Sequence, residues 1–295
     1  MTEIVVGIDG SQASIAALAR ALEEAERDGA QLRALHVWQT PVWVGGVSGM
    51  VVDMTPSAEQ SDSYARELLS TTVDKVLANR ATASTVPLTQ EVRHGVPDRE
   101  LVGAAHDAEL LVLGGRGHGH VASALLGSVT NSVLHSASCP VMLVPDPGPP
   151  VAPWGRVVVG IDGSRNSHQA LAWAAGIARR DGIPLVAVHA WLLTTLPSRP
   201  PMPYVPPLWE YGIEAETWLR HEVERHLPDP DGVEVHLEAV HDGASAALLD
   251  LATTEDLLVL GARGRGGFGG LLLGSVAAQC ARHARGPLVV VHERV

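Results

Sequence analysis

Short, unbroken apolar runs recur along the chain near 3–9, 31–37, 87–93, 109–114 and 140–144, and again near 156–162, 184–190, 233–240, 256–261 and 287–292. Runs of this length without alternation predict parallel strands buried on both faces. Between them the spacing becomes helical. Ile15, Leu18, Ala19 and Leu22 form one stripe that stops near Gly29, a predicted C-cap. Tyr64, Leu68 and the Val76–Leu77 pair predict a second helix. Asp98 is the predicted N-cap ahead of Leu101, Val102 and Ala105, and Ser128 the predicted cap of a helix carrying Val133 and Leu134. Strand–helix alternation of this kind predicts an α/β, doubly wound sheet whose ligands bind at the carboxyl ends of the strands. The segments 39–57 and 192–210 follow neither period and are rich in Pro, Trp and Gly, which predicts loops.

The pattern is one unit written twice. Val6-Gly7-Ile8-Asp9-Gly10-Ser11 returns as Val159-Gly160-Ile161-Asp162-Gly163-Ser164, an offset of 153. Arg27-Asp28-Gly29 returns as Arg180-Asp181-Gly182, and His36-Val37-Trp38 as His189-Ala190-Trp191, at the same offset. It falls to 148 between Gly95 and Gly243. These matches predict a first domain over 1–145, a proline-rich linker over 146–155 and a second domain over 156–295.

A glycine pattern recurs with the tightest spacing. Gly114-x-x-Gly117, nine residues and Gly127-Ser128 return as Gly261-x-x-Gly264, nine residues and Gly274-Ser275, an offset of 147. A phosphate chain needs several N–H donors aimed at one place with no side chains in the way. Gly114, Gly115, Gly117 and Gly119 are read as letting the backbone approach a ligand and take positive φ. Gly127-Ser128 then opens a helix, adding unpaired N–H groups, a dipole and a hydroxyl. Arg116 and His118 supply charge in the first loop, Arg263 and Arg265 in the second, so the two sites are expected to differ in affinity. Asp9 and Asp162 end the first strand of each repeat and have two readings: an Asx-turn feeding the next helix, or a carboxylate touching a nucleoside. Gly7 and Gly160 leave room for a base above the strand. Val37 and Ala190 offer backbone N–H and C=O groups to an adenine edge, or are simply core strand. His118-x-His120 has no third ligand close in sequence and reads as solvated loop histidines.

Composition narrows the chemistry. The 295 residues are 46% apolar but only 4% aromatic, so the cores must be Val, Leu, Ile and Ala. A formal charge of −12 argues against nucleic acid or an anionic membrane as partner. No run of about 20 apolar residues is present. The two cysteines, Cys139 and Cys280, form no C-x-x-C pair and read as buried thiols in a reducing, cytoplasmic setting. Lys75 is the sole lysine, which excludes a Walker A loop. Gly264-Arg-Gly266-Gly-Phe-Gly269 matches G-x-G-x-x-G literally, but it follows the fourth strand and no acid lies about 20 residues on, so a dinucleotide oxidoreductase is disfavoured.

The doubled Gly-x2-Gly-x9-Gly-Ser motif, with Val-Gly-Ile-Asp-Gly-Ser on the first strand, resembles the ATP-binding branch of the universal stress protein family over essentially the whole chain. The resemblance implies two tandem five-stranded parallel sheets in the order 3-2-1-4-5, of the adenine nucleotide alpha hydrolase-like type, paired through their fifth strands, and a further homodimer. It implies ATP, with Mg bridged by the phosphates, at Gly7, Asp9, Val37, Gly114, Gly115, Arg116, Gly117, His118, Gly127, Ser128 and Val129. In the second repeat the contacts fall on Gly160, Asp162, Ala190, Gly261, Ala262, Arg263, Gly264, Arg265, Gly274, Ser275 and Val276. The expected function is a nucleotide-dependent stress or dormancy regulator rather than a fast enzyme. A slow ATPase or nucleotide-transfer enzyme is the alternative, and a nucleotide-free dimer scaffold a third reading.

Overall fold

The computed structural model describes residues 2–39, 57–80, 83–115, 126–145, 153–193, 207–230, 232–265 and 273–293. The first repeat comprises β1 (Glu3–Gly7), α1 (Gln12–Asp28), β2 (Gln31–Trp38), α2 (Ala58–Ala78), β3 (Leu88–His94), α3 (Pro97–Ala104), β4 (Leu110–Gly114), α4 (Ser128–Ser136) and β5 (Val141–Val144). The second comprises β6 (Val157–Gly160), α5 (Arg165–Asp181), β7 (Leu185–Ala190), α6 (Leu208–His226), β8 (Val235–Val240), α7 (Ala244–Leu251), β9 (Leu257–Gly261), α8 (Ser275–His283) and β10 (Leu288–Val291).

Each half has the order 3-2-1-4-5, and the two join into one ten-stranded sheet, β3-β2-β1-β4-β5-β10-β9-β6-β7-β8. All neighbours are parallel except β5 and β10, which pair antiparallel with Met142 opposite Val289. Successive side chains of a strand point to opposite faces, and here both faces are covered. Met142, Val144, Val289 and Val291 join a core under α1, α2, α5 and α6, while Val141, Leu143, Leu288 and Val290 join a core under α3, α4, α7 and α8. These four-residue strands are fully buried. At roughly 1.5–3 kcal/mol per buried aliphatic side chain, the junction is a continuation of the core. The edge strands β3 and β8 depart furthest from the expected burial on both faces, since their residues are partly buried or exposed and none is buried.

The caps of the first helix in each repeat repeat as well. Ser11 and Ser164 accept the N–H of Ser14 and Ser167, and Gly29 and Gly182 close the helices at φ 61 and 64. Other boundaries correct the sequence reading. The cap of α3 is Val96, with Pro97 at its first position, because proline lacks the N–H that position cannot use. Asp98 falls in the first turn and accepts from the Ser132 hydroxyl. Gly127, not Ser128, caps α4. On α2 the buried stripe is Ala65, Leu69, Thr72, Val73 and Val76, whereas Tyr64 is 68% exposed. Residues 208–210, expected in a loop, form the first turn of α6; residues 40–56 and 194–206 lie outside the described set. Trp154, in the stretch read as linker, is 3% exposed and stacks under the Arg20 guanidinium at 3.8 Å.

Candidate functional site

The two glycine loops are closed at their base in the same way. Gly127 donates its N–H to the Gly115 carbonyl at 3.2 Å, and Gly274 donates to the Ala262 carbonyl at 2.7 Å. Gly115 and Ala262 in turn donate to Val144 and Val291, on the neighbouring fifth strands, at 2.8 and 2.9 Å. Each loop therefore leaves and re-enters the sheet edge through the same pair of bonds. The re-entry point is a helix start. The first bond within α8 runs from Ala278 N–H to Gly274 at 2.9 Å, so the N–H groups of Ser275, Val276 and Ala277 have no partner inside the helix. That end carries the positive pole of the helix dipole.

Asp162 ties the second loop to the first strand of its repeat. Its Oδ1 accepts the Ser164 N–H at 2.9 Å, the predicted Asx-turn, and its Oδ2 accepts the Arg265 N–H at 2.9 Å across 103 residues. The Ser164 hydroxyl adds a bond to the Arg263 carbonyl at 3.2 Å. Burial would raise the Asp162 pKa, but hydrogen bonds from Ser164, Arg265 and Ser167 outweigh it and hold the carboxyl below its usual range. In the first repeat Asp9 makes the same turn, accepting the Ser11 N–H at 2.9 Å.

Around this anchor lies a cleft of about 530 Å³ at the carboxyl ends of β6 and β9. Of the residues expected in the second site, Gly160, Asp162, Ala190, Gly261, Arg263, Gly264, Arg265, Gly274, Ser275 and Val276 all line it. Ala262 does not; it is 1% exposed, and its carbonyl closes the loop base. Sequence reading missed the apolar wall of Ile161, Val188, Leu248, Leu260 and Leu273, whose positions look like ordinary core. The Arg265 guanidinium sits 5.4 Å from the Trp218 ring centroid, and Arg263 reaches Glu293 at 3.7 Å.

The glycines do different work from that expected. A Cβ on Gly114 or Gly261 would lie 2.7 Å from the backbone of Ala13 or Asn166, so these glycines admit the starts of α1 and α5 rather than a ligand. A Cβ on Gly160 would lie 2.8 Å from a Leu260 methyl and 3.3 Å from Leu248; Gly7 is crowded likewise by Leu113 and Leu101. The room expected above the strand is filled by leucine tips, and at Gly160 these form the cleft wall. A Cβ on Gly264 would strike the Asp162 carboxylate. Positive φ falls on Gly10 and Gly163, in the turns after β1 and β6, not on Gly114 or Gly115.

In the first repeat, Gly7, Asp9, Val37, Gly114, Gly115, Gly127, Ser128 and Val129 occupy the matching strand ends and helix start. Arg116, Gly117, His118, Gly119 and His120 lie outside the described residues, as do Gly266 to Gly269. Both cysteines are buried, and burial pushes the Cys280 thiol up to about 12. One polar cluster was not foreseen. His168 of α5 meets Glu222 and His226 of α6, residues too far apart in sequence to signal each other.

Fold and site together define a tandem α/β protein with a glycine-loop cleft at the carboxyl ends of the parallel strands of its second repeat. The model of the Universal stress protein family matches residues 1–145 and 153–292, and the chain belongs to that family. It is 35% identical to a universal stress protein of Mycolicibacterium smegmatis, over 99% of this chain and 97% of that one. A universal stress protein of Mycobacterium tuberculosis is 33% identical, over 97% of this chain and 94% of its own. Among solved structures, a universal stress protein from Archaeoglobus fulgidus shares the fold with a TM-score of 0.66 at 20% identity, covering 99% and 96% of the two chains. Among the described residues, no helix is long and apolar enough to cross a membrane.

Proposed function

We propose that each repeat binds one adenine nucleotide, ATP by preference, and that the chain acts as a nucleotide-dependent stress regulator through binding rather than turnover. The observation that carries this reading is the second cleft: an apolar wall from Ile161 to Leu273 facing the open N-terminus of α8 and the two loop arginines. An apolar wall suits a base, and three unpaired N–H groups with Arg263 suit a phosphate chain. β7 runs on to Ala190 past the last β6 pair, Gly160 with Val188, which brings its backbone edge to the cleft beside the base position.

The carboxylate of the cleft supports binding over catalysis. Both oxygens of Asp162 already accept loop N–H groups, a poor starting point for a general base. A Mg ion would be held chiefly by the nucleotide's own phosphates, with Asp162 positioning the loop around them. At millimolar ATP and a micromolar site, linkage adds roughly 4 kcal/mol to the bound form, enough to couple nucleotide level to conformation.

The test is to denature freshly purified chain, identify released nucleotide by chromatography and count it per chain. Two ATP per chain are expected, with Gly117→Glu and Gly264→Glu each removing one. No nucleotide, and no thermal shift on adding ATP, would overturn the proposal. ADP in place of ATP would favour slow hydrolysis.

A further inference from the structure

The first turn of α5 and the last turns of α6 bring together three side chains that the cleft does not use. His168 Nε2 lies 2.8 Å from Glu222 Oε2. The His168 ring stacks on that of His226, with centroids 3.5 Å apart and planes inclined by 14°. Glu222 and His226 are four residues apart on α6 and so share a face. One donor atom from each of the three lies within 4.8 Å of the others.

We propose that His168, Glu222 and His226 form a binding site for a divalent transition metal ion of the zinc class, its fourth position completed by water. With bonds of about 2.0–2.1 Å, tetrahedral zinc spaces its donors roughly 3.4 Å apart. Binding one ion therefore requires one imidazole to rotate out of the stack, so that both ring planes meet at the metal. Two imidazoles and a carboxylate favour zinc, cobalt or nickel over magnesium or calcium, which prefer oxygen ligands.

The internal repeat argues that the cluster is not needed for folding. Leu69 and Val73 of α2 are buried as Leu219 and Val223 of α6 are, and both pairs differ by 150 in number (219 − 69 and 223 − 73). The same offset places Thr72 opposite Glu222 and Val76 opposite His226, while the 153 offset of α1 and α5 places Ile15 opposite His168. Thr72 satisfies its hydroxyl on its own helix, at the Leu68 carbonyl, 2.8 Å away. The first repeat thus makes the same helix contact with apolar groups and one self-satisfied threonine. A partly exposed ionic cluster adds little stability where an apolar contact suffices. A metal ion gives the three donors a common purpose and predicts a site in one repeat only.

The experiment uses the full chain without an affinity tag, stripped with a chelator and dialysed. Zinc is titrated against a chromophoric competitor, and cobalt replaces it for a visible spectrum. One tight ion per chain is expected, with the intense cobalt absorption of a tetrahedral site. His168→Ala and His226→Ala should each weaken zinc at least about 100-fold, since even partners of metal ligands cost 10–100-fold. Glu222→Gln keeps a hydrogen-bond partner for His168, so it should leave the urea midpoint near that of the parent while weakening zinc. A folded Glu222→Gln chain that binds zinc as tightly as the parent overturns the proposal. So does the absence of a tight ion in the parent, or tight binding that survives both histidine changes and belongs to others of the 14 histidines.

Discussion

Arg180 of the second repeat holds Asp28 of the first at 2.7 Å, and the residues at the mirrored positions, Arg27 and Asp181, hold each other at 2.8 Å. The triplet Arg-Asp-Gly that appears twice in the sequence is thus used reciprocally, as at a two-fold interface between identical subunits. Arg180 also reaches Glu24 at 2.8 Å, a carboxylate 1% exposed. Replacing Arg180 by Ala strands that buried charge and is expected to destabilise by about 3–5 kcal/mol. Arg27→Ala, which leaves Asp181 still paired with Arg180, should cost less. Urea unfolding midpoints of the two variants check the order.

Gly261 and Gly264 stand three residues apart and predict opposite phenotypes. Gly261→Ala drives a methyl into the Asn166 backbone, which cannot yield, and should cost about 1–3 kcal/mol of stability. Gly264→Ala meets the Asp162 carboxylate instead and should displace the loop with little loss of stability. Nucleotide per chain, measured beside thermal unfolding, separates the two.

Asp162→Asn keeps an acceptor for the Ser164 N–H but turns a donor toward the Arg265 N–H. On the proposed function, nucleotide affinity of the second repeat should fall at least about tenfold, the worth of one lost charge-assisted bond. Calorimetry on a Gly117→Glu background, where the first repeat is silenced, reads it directly.

His292 gives stability a pH dependence. It is 7% exposed, with Nε2 2.8 Å from the Leu134 carbonyl and Nδ1 3.1 Å from that of Cys139, so it links the end of the second repeat to the first. Burial holds its pKa below the usual histidine value despite those carbonyls. The unfolded chain therefore binds the proton more readily than the folded one. Its contribution is complete above the unfolded value, about 6.5, and is lost as pH falls through and below it. His292→Gln should flatten the slope of the urea midpoint between about pH 7 and 5 relative to the parent.

The Cys280 thiol, pushed up to about 12 and buried, should resist alkylation at neutral pH for as long as the chain is folded. Labelling of both thiols should track global unfolding; rapid reaction of either in native buffer contradicts the burial.

Much of this architecture is legible in the residues because repetition disciplines the reading. Continuous runs such as Leu110–Leu113 and Leu257–Leu260 mark the strands, and a constant offset locates both loops. What escapes is three-dimensional coincidence. Gly261 looks like a ligand glycine until α5 is seen to approach it, and Tyr64 looks buried until the stripe of α2 proves to lie one residue on. Asp98 has the chemistry of a cap, but Pro97 decides where α3 begins. His168 and Glu222 stand 54 residues apart, with no local spacing to connect them.

The single antiparallel pairing in the sheet, β5 with β10, has a geometric consequence. Because the two halves run in opposite senses there, the carboxyl ends of their strands emerge at opposite rims. Gly114 and Gly261, at the ends of β4 and β9, therefore lie at opposite rims, and no flat surface can cover both. A partner that senses both must reach around the sheet, while separate partners can dock without collision.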